Sequence, residues 1–362
     1  MPTSVETVDA LIVGARIGGV FTAGCMARAG YSVLLVDKAS FPSDTLSTHF
    51  CRGGGMLGVA DRLGWLPAVE AVGAPKLTVE YSHANGEVSV APPQDPGNVG
   101  YCMAARRLTL DAALLRAVQR EPRVRVRTGT KVKNLVMEGG RVVGADLGDG
   151  STVRARVVVG ADGRRSNVAR WVEAQEREAH EGMRALYFRY VSRFNPPRGG
   201  YPDGPEFSLI GDQMAYVFPC DAGLTCVALS INLATFREFR HDVATEWISN
   251  MSRHHRVWSR LTDSKAESRL FGTAPQPDWV REGAGGGWAL VGDAAIHQDP
   301  WSGEGMDSAA RQAEILVEVL DTAWRQDNDE WAAVYEQRRD EALLENFHAT
   351  VAGSRDLSTL GV

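Results

Sequence analysis

The sequence of 362 residues has few cysteines and no block of charge of either sign. Its five cysteines are odd in number and form no C-x-x-C pair, which argues against a disulfide framework and indicates reduced thiols in a cytoplasmic protein. The 39 Lys and Arg against 45 Asp and Glu give a net charge of −6, with no basic block or tail. This balance argues against nucleic acid as the main partner.

Long apolar segments, repeats and metal-binding patterns are also missing. The apolar run over 11–27 is interrupted by Arg16, is too short for a membrane-spanning helix, and starts too late for a signal peptide. No internal repeat and no low-complexity tract is present. The histidine pair at 254–255 has no cysteine or carboxylate pattern around it, so no metal site is predicted. We therefore expect a soluble cytoplasmic protein without membrane insertion, long enough for two domains or for one domain with an insertion.

The sequence does contain a dinucleotide-binding pattern near its N-terminus. Residues 10–13 are an apolar run suited to a strand buried on both faces, and GARIGG follows at 14–19. A helix of small residues is predicted over 18–29, and a second apolar strand over 32–36 ends at Asp37. An acid about 20 positions beyond the turn is where such folds bind a ribose hydroxyl. A plain βαβ packing turn without a nucleotide is the alternative.

One letter of this fingerprint differs from the usual G-x-G-x-x-G pattern. The third position, where the backbone comes close to a pyrophosphate, is Arg16. The turn can keep its shape if the Cβ of Arg16 points away from the phosphates. The fingerprint is then altered and not broken, but alone it is only a weak indication of nucleotide binding.

Two further motifs combine a buried strand with an acid and glycines. In GADGRRS, 160–166, the strand delivers Asp162 and a glycine to its end; a solvated D-G turn is the alternative. In VGDAA, 291–295, Asp293 could accept a hydrogen bond from a ribityl hydroxyl; an acid that caps a helix is the alternative. Gly303 and Gly305 would let backbone N–H groups at a helix start approach an electron-rich ring edge. Three such motifs in this order are not a coincidence.

The middle of the chain has a different pattern. Beyond residue 181, segments alternate apolar and polar residues and are rich in aromatics, which predicts an antiparallel sheet, and helical stretches follow over 234–261. Residues 77–90 alternate about Asn85-Gly86, a strong hairpin signal. We predict an α/β fold in which a Rossmann-like nucleotide-binding domain, discontinuous in sequence, contains an inserted antiparallel β-sheet domain.

Together, the three motifs resemble those of FAD-dependent monooxygenases of the para-hydroxybenzoate hydroxylase type, the class A flavoprotein monooxygenases. That family carries a G-x-G-x-x-G turn, a D-G motif and a G-D motif in this order. The correspondence covers roughly residues 8–175 and 270–325, with a looser likeness between them. The GAR-x-x-G turn followed by FPSDTLSTH is similar to that of a bacterial branch of the superfamily. The resemblance implies a GR2-type FAD-binding fold.

The resemblance also implies a non-covalent FAD and the residues that bind it. Asp37 would belong to the ADP-binding unit, Arg107 would reach the phosphate and flavin region, and Asp293 would bind the ribityl chain. Residues 305–306 would lie at the flavin N1/O2 edge, and the Arg16 guanidinium would pair with a pyrophosphate oxygen or project toward the flavin. The predicted set is Gly14, Arg16, Gly18, Gly19, Asp37, Lys38, Arg107, Val132, Asp162, Asp293, Gly303, Gly305 and Met306.

The domain boundaries follow from the same correspondence. The YVFP segment at 216–219 is similar to the substrate-domain sheet of this family and of geranylgeranyl reductase-like enzymes. We expect a discontinuous FAD-binding domain over 1–75, 100–180 and 275–325, a substrate-binding β-sheet domain over 76–99 and 181–274, and a C-terminal helical segment over 326–362.

The implied activity is that of an FAD-dependent, NAD(P)H-using monooxygenase. NAD(P)H would be a transient reductant, and O2 would form a C4a-hydroperoxyflavin that hydroxylates or epoxidises an aromatic or polyketide-like small molecule, in bacterial secondary metabolism or aromatic catabolism. A reductase or dehydrogenase of the geranylgeranyl reductase-like type would share the FAD site and is the alternative, followed by a non-catalytic flavin-binding protein. A flavin halogenase is disfavoured because the W-x-W-x-I-P signature is missing.

The sequence assigns no catalytic residue. His297, close behind the G-D motif, and Arg52, in a glycine-rich loop, are the candidates. A structural hydrogen bond is the alternative role for His297, and a solvated loop charge is the alternative for Arg52. No second nucleotide fingerprint is present, which fits the enzymes that the chain resembles, where NAD(P)H uses a shared groove. We expect a monomer or a homodimer.

Overall fold

A computed structural model describes residues 5–47, 49–84, 86–195 and 204–359. The α-helices are α1 (Ile17–Arg28), α2 (Met56–Arg62), α3 (Leu66–Glu70), α4 (Arg107–Val118), α5 (Asn167–Trp171), α6 (Leu233–Phe239), α7 (Val243–Ser252), α8 (His255–Leu261), α9 (Gly305–Arg325) and α10 (Trp331–Arg355). The strands are β1 (Val5–Val13), β2 (Val33–Val36), β3 (Phe50–Cys51), β4 (Glu80–Ala84), β5 (Glu87–Ala91), β6 (Met103–Ala104), β7 (Val124–Arg127), β8 (Val132–Glu138), β9 (Arg141–Leu147), β10 (Thr152–Gly160), β11 (Glu176–His180), β12 (Arg184–Ser192), β13 (Glu206–Ile210), β14 (Gln213–Pro219), β15 (Thr225–Asn232), β16 (Lys265–Ala266), β17 (Phe271–Thr273), β18 (Asp278–Arg281), β19 (Ala284–Gly285), β20 (Trp288–Leu290) and β21 (Ile296–His297).

The first sheet is Rossmann-like, as the N-terminal βαβ pattern predicts. Its strand order is β19-β20-β10-β1-β2-β7, parallel from β20 to β7. Val13 pairs with both Val36 and Gly160, and Gly160 also pairs with Leu290. These strand ends are buried on both faces because their side chains are aliphatic. The segments that follow β1, β2, β10 and β20 are therefore brought to one edge of the sheet.

Helices cover both faces of this sheet. Helices α1, α2, α4 and α9 share one apolar core, in which Phe21, Leu110 and Leu316 are fully buried. On the other face, α5 and α10 pack with Val168 and Phe347 against the strands. The arrangement confirms the predicted α/β class and leaves the carboxyl edge of the strands open for a ligand.

The second sheet is the inserted antiparallel sheet. Its order is β16-β12-β15-β14-β13-β4-β5, with β17 also on β12, and neighbours are antiparallel except β13 with β4. One face packs against α6, α7 and α8 around Phe239 and Trp247. The other face carries aromatic rings, among them Phe188 and Phe218, toward the first sheet. The strands β4 and β5 form the predicted hairpin, whose turn residue Asn85 lies outside the described residues.

The domain boundaries predicted from sequence remain a prediction. Their assignment of 76–99 to the substrate domain is supported by β4 and β5, which lie in the second sheet. Helix α10, which belongs to the predicted C-terminal segment, packs into the core of the first sheet. Over the described ranges, no helix is both long and apolar enough to span a membrane.

Candidate functional site

A cavity of about 530 Å3 lies at the carboxyl edge of the first sheet and extends to the second sheet. Leu186 and Phe188 of β12 line its far end. His297 lines it as well, whereas Arg52 is not among the residues that line it. The predicted cofactor residues that line it are Gly14, Arg16, Gly18, Asp37, Lys38, Arg107, Val132, Asp162, Asp293, Gly303, Gly305 and Met306. The structure thus brings together the whole predicted set except Gly19.

The glycine turn is shaped by close approach of the backbone. Gly14 has a φ of +107°, and a Cβ there would lie 2.3 Å from the carbonyl oxygen of Ala161. A Cβ at Gly19 would lie 1.7 Å from the Gly14 oxygen, so Gly19 shapes the turn from inside α1 without reaching the cavity. These two glycines let the start of α1, with its unpaired N–H groups, face the cavity.

Asp37 is held by the same turn. Its Oδ2 accepts a hydrogen bond from the Ala15 N–H at 2.7 Å, and its Oδ1 accepts one from the Ala39 N–H at 2.7 Å. Each carboxylate oxygen keeps a further acceptor position, which suits a ribose hydroxyl. Asp37 therefore both orders the loop after β2 and lines the cavity.

The two other acids differ in their partners. Asp162 accepts from Ser166 Oγ at 2.5 Å and from the Asn167 N–H at 2.7 Å, so it supports the start of α5, whose N-cap is Ser166. Asp293 lies in a 3₁₀ turn and accepts no hydrogen bond from any other described residue. Asp293 therefore caps no described helix, and its carboxylate is available to a ligand.

Arg52 lies behind the loop that leads into α9. Its Nη2 donates to the Ser302 carbonyl at 2.9 Å and pairs with Glu304, and its Nη1 pairs with Asp307 at 3.1 Å. It is 6% exposed, so the alternative of a solvated loop charge is wrong. Burial raises the pKa of the Asp307 carboxyl, and Arg52 opposes that rise. Arg52 therefore orients the 302–307 backbone and does not reach the cavity itself.

His297 lies in β21, which pairs with β18 in a separate sheet of β11, β18 and β21, and it lines the cavity. Its ring stacks on Trp279, with centroids 4.6 Å apart, and its Nδ1 lies 2.7 Å from the Pro277 carbonyl oxygen. Because a carbonyl only accepts, Nδ1 carries the proton and Nε2 is left as an acceptor. Burial lowers the pKa of His297, and the charge of Asp293 opposes this shift. The site thus holds a neutral imidazole, with the structural hydrogen bond that the sequence offered as its alternative role.

Asp111 is a residue that the sequence reasoning missed. It is 1% exposed and accepts from Nε and Nη2 of Arg107 at 2.9 and 3.0 Å. It also pairs with Arg16. The i,i+4 spacing of Arg107 and Asp111 was the available signal, because in a helix it brings the two side chains together. The contact with Arg16 had none, because 95 residues separate the two.

These residues fit FAD. The cavity joins a dinucleotide turn, a free carboxylate at Asp293 and the start of α9, where a Cβ at Gly305 would meet no atom within 4 Å. A carboxylate suits ribityl hydroxyls, and a helix start suits the electron-rich edge of a flavin. No group of three metal-ligating side chains occurs within the part of the chain that the structure covers.

Known proteins with similar sequences and folds agree with this fit. The chain is 28% identical over 334 residues to the menaquinone reductase of Mycobacterium tuberculosis (strain ATCC 25618 / H37Rv), across 88% of this chain and 77% of that protein. It is 27% identical over 342 residues to the ubiquinone hydroxylase UbiL of Rhodospirillum rubrum, across 88% and 74%. Its fold is similar to that of PqsL, a probable FAD-dependent monooxygenase from Pseudomonas aeruginosa, with a TM-score of 0.80, 21% identity and 97% of each chain covered.

A family profile identifies the chain directly. The profile described as FAD binding domain matches residues 7–347, nearly the whole chain. The match includes all three motifs and both sheets, so the predicted FAD cofactor is confirmed. The chain belongs to the FAD-binding domain family of the class A flavoprotein monooxygenase superfamily, and it is an FAD-dependent oxidoreductase.

Proposed function

We propose that the protein is an NAD(P)H-using monooxygenase that acts on an aromatic or polyketide-like small molecule. The observation that carries this proposal is the continuity of the cavity. One space runs from the glycine turn past the start of α9 to Leu186 and Phe188 on the second sheet. A flavin ring at the start of α9 would therefore adjoin a partly apolar chamber, which suits a planar, weakly polar substrate.

The residues of the first sheet would hold FAD along this space. The start of α1 and Asp37 would bind the ADP part, Asp293 the ribityl chain, and the N–H groups at 305–306 the N1/O2 edge. Bound FAD would supply the redox chemistry, taking electrons from NAD(P)H and using O2 to oxygenate the substrate. The chain would position this group and limit the access of water to it.

His297 would contact the substrate. Its Nε2 is an acceptor at the cavity, with the ring fixed by Trp279 and by the Pro277 carbonyl. A hydroxyl on the substrate could donate to it, and a neutral imidazole could draw the hydroxyl proton as the ring becomes electron-rich. Gln276 and Thr273 at the same end offer further polar partners.

A reductase is the second candidate. The relative in Mycobacterium tuberculosis is a menaquinone reductase, and the Rhodospirillum rubrum relative is a ubiquinone hydroxylase. Both names denote chemistry on quinones, one without and one with insertion of oxygen. A quinone or phenol therefore belongs among the first substrates to test.

The test uses the holoprotein with NADH or NADPH and a panel of phenols, quinones and polyketides. Under ¹⁸O₂, a monooxygenase product gains one labelled oxygen, and no product forms when O2 is removed. Hydrogen peroxide released without substrate serves as the control for uncoupled oxidation. A product that forms equally well without O2 and carries no label would contradict the monooxygenase proposal and support the reductase.

A further inference from the structure

The dinucleotide turn tolerates a side chain at position 16. Arg16 is the N-cap of α1, with φ −99° and ψ −165°, an extended conformation that any residue adopts. No close approach comparable to that at Gly14 and Gly19 forces a glycine there. The question is therefore what the guanidinium does once it is present.

The Arg16 side chain turns toward the segment that follows β2. Its Nη2 donates to Ser43 Oγ and to the Asp44 carbonyl, both at 3.1 Å. Its Nη1 pairs with Asp111 of α4. The guanidinium also lies 5.6 Å from the ring centroid of Phe41. The altered turn and the FPSD segment at 41–44 are thus in direct contact.

Asp111 provides a fixed anchor for this contact. Its side chain is fully buried and accepts two hydrogen bonds from the buried Arg107. A buried carboxylate between two guanidinium groups is held in one orientation, because movement would leave a charge unpaired. The Nη1 atom of Arg16 is therefore paired with a carboxylate that α4 holds in a fixed position.

Residues 41–47, here called the Ser43 segment, form part of the cavity wall. Thr45, Leu46 and Ser47 line the cavity. Ser47 Oγ lies 3.9 Å from Sδ of Met306, at the start of α9. The segment therefore runs from Arg16 at the dinucleotide turn to the helix start proposed for the flavin edge.

We propose that Arg16 is a positioning residue that clamps the Ser43 segment, through Asp111, over the FAD site. The clamp holds the wall of the cavity in place and slows the release of bound FAD. The inference rests on FAD binding and not on the proposed oxygenation. Its test measures cofactor affinity and segment motion, so its failure is distinguishable from failure of the monooxygenase proposal.

Direct pairing of Arg16 with the pyrophosphate is the competing explanation, and the two differ at Asp111. If Arg16 contacts phosphate, Asp111→Asn removes a competing negative charge and should leave FAD binding equal or tighter. If Arg16 acts as a clamp, the same change loosens its anchor and weakens FAD binding. Arg16→Lys separates them again, because an ammonium can pair with a phosphate but cannot bridge Asp111 and the Ser43 segment as a fork does.

The experiment compares holoproteins of the parent, Arg16→Lys, Asp111→Asn and the double variant. We expect FAD dissociation constants roughly 10-fold higher in each variant, with no further loss in the double variant, since both changes break one linkage. In hydrogen exchange, amides of residues 41–47 should exchange roughly 10-fold faster in each variant, while those of 33–36 stay protected. Arg28→Lys, at the other end of α1 and away from the cavity, is the matched control and should match the parent.

Two results would overturn the clamp. One is an Asp111→Asn variant that binds FAD as tightly as the parent or more tightly. The other is an Arg16→Lys variant whose Ser43 segment exchanges at the parent rate. If Asp111→Asn does not fold, Arg16→Lys alone decides, because the Arg16 side chain is 28% exposed and its replacement leaves the Arg107–Asp111 pair intact.

Discussion

At the residue scale, two buried carboxyl groups next to the cavity wall set a pH dependence. Asp278 is fully buried, and neither of its oxygens accepts a hydrogen bond from the described residues. Burial raises its pKa from 3.8 to about 7, and the nearby Asp299 adds to the rise. Burial also raises the pKa of Asp299 to about 6. The folded protein thus keeps a proton on Asp278 at pH values where the unfolded chain has released it.

Replacing Asp278 with Asn should therefore flatten the dependence of stability on pH. The folded pKa is raised, so the parent loses stability as the pH rises from about 4 to 8, by up to about 4 kcal/mol relative to Asp278→Asn. Unfolding by urea at pH 5 and at pH 8 measures the difference. Asp329→Asn, whose parent side chain is 83% exposed, is the control and should follow the parent. Parallel pH profiles for Asp278→Asn and the parent would show that Asp278 is ionised when buried.

Asp293 and Asp162 are matched acids with opposite expected effects. Asp293→Ala removes a carboxylate with no other described partner, so FAD affinity should fall roughly 10- to 100-fold while apoprotein stability stays the same. Asp162→Ala removes the acceptor of the Ser166 hydroxyl and of the Asn167 N–H at the start of α5, so stability should fall by about 1 kcal/mol with a smaller effect on FAD. Flavin fluorescence titration and thermal unfolding measure the two effects. Equal FAD affinity in Asp293→Ala and the parent would refute the ribityl contact.

At the scale of elements, the start of α9 tests where the cofactor lies. Gly305 has open space around the position of a Cβ, and Ala favours a helix over Gly by up to about 1 kcal/mol. Gly305→Ala should therefore keep or raise the melting temperature of the apoprotein and weaken FAD binding, because the methyl group enters the cavity. Gly286→Ala, whose Cβ would meet only ordinary contacts near 3.7 Å outside the cavity, is the control. Unchanged FAD affinity in Gly305→Ala would show that the flavin edge does not lie at the start of α9.

The first βαβ unit could be predicted closely around its turn, since its signals are local, although β1 begins at Val5, ahead of the predicted run. The apolar run at 10–13, the small-residue helix and Asp37 appear in the structure as β1, α1 and the end of β2. Fully buried parallel strands are continuous aliphatic runs, and a tight turn needs glycine where a Cβ cannot fit, as at Gly14 and Gly19.

The contacts of the arginines could not be predicted in the same way. Whether Arg16 meets Ser43 or Arg52 meets Asp307 depends on the path of loops and on elements far apart in sequence. The charges were visible in the sequence, but their partners were not. From the sequence, direct contact with the cofactor is therefore the expected role of Arg16. The structure adds Ser43 and Asp111 as partners of its guanidinium within the protein.

At the scale of the whole molecule, α10 ties the two sheets together. Phe347 packs between α10 and the first sheet, on the face that α5 also covers. The chain continues to Leu357, which is buried in the aromatic core of the second sheet. The Leu357 N–H donates to Asp212 Oδ1 at 2.7 Å, and Arg184 Nη1 donates to the Ser354 carbonyl at 3.5 Å. The C-terminal part of the described chain therefore belongs to both cores.

Phe347→Ala should destabilise both sheets at once. Removing a fully buried ring costs about 3–5 kcal/mol, and the shared helix should transmit the loss to the second sheet. Calorimetry, with circular dichroism and tryptophan fluorescence as separate probes, should show one transition shifted to lower temperature. Val334→Ala, on the same helix with 45% of the parent residue exposed, should stay within about 0.5 kcal/mol of the parent. Two separate transitions, with only one shifted, would show that the sheets unfold independently.

The order of strands in the first sheet has a consequence for how the protein is made. β1 lies between β2 and β10, β10 lies against β20, and the cavity is completed by the start of α9 at Gly305. A nascent chain leaves the ribosome from its N-terminus onward, so β1 and β2 emerge long before β10 and β20 can cover them. FAD cannot be retained until the chain through Met306 has emerged. Until then, the aliphatic strands of the first sheet lack the neighbours that bury them, and bound FAD cannot yet add to their stability.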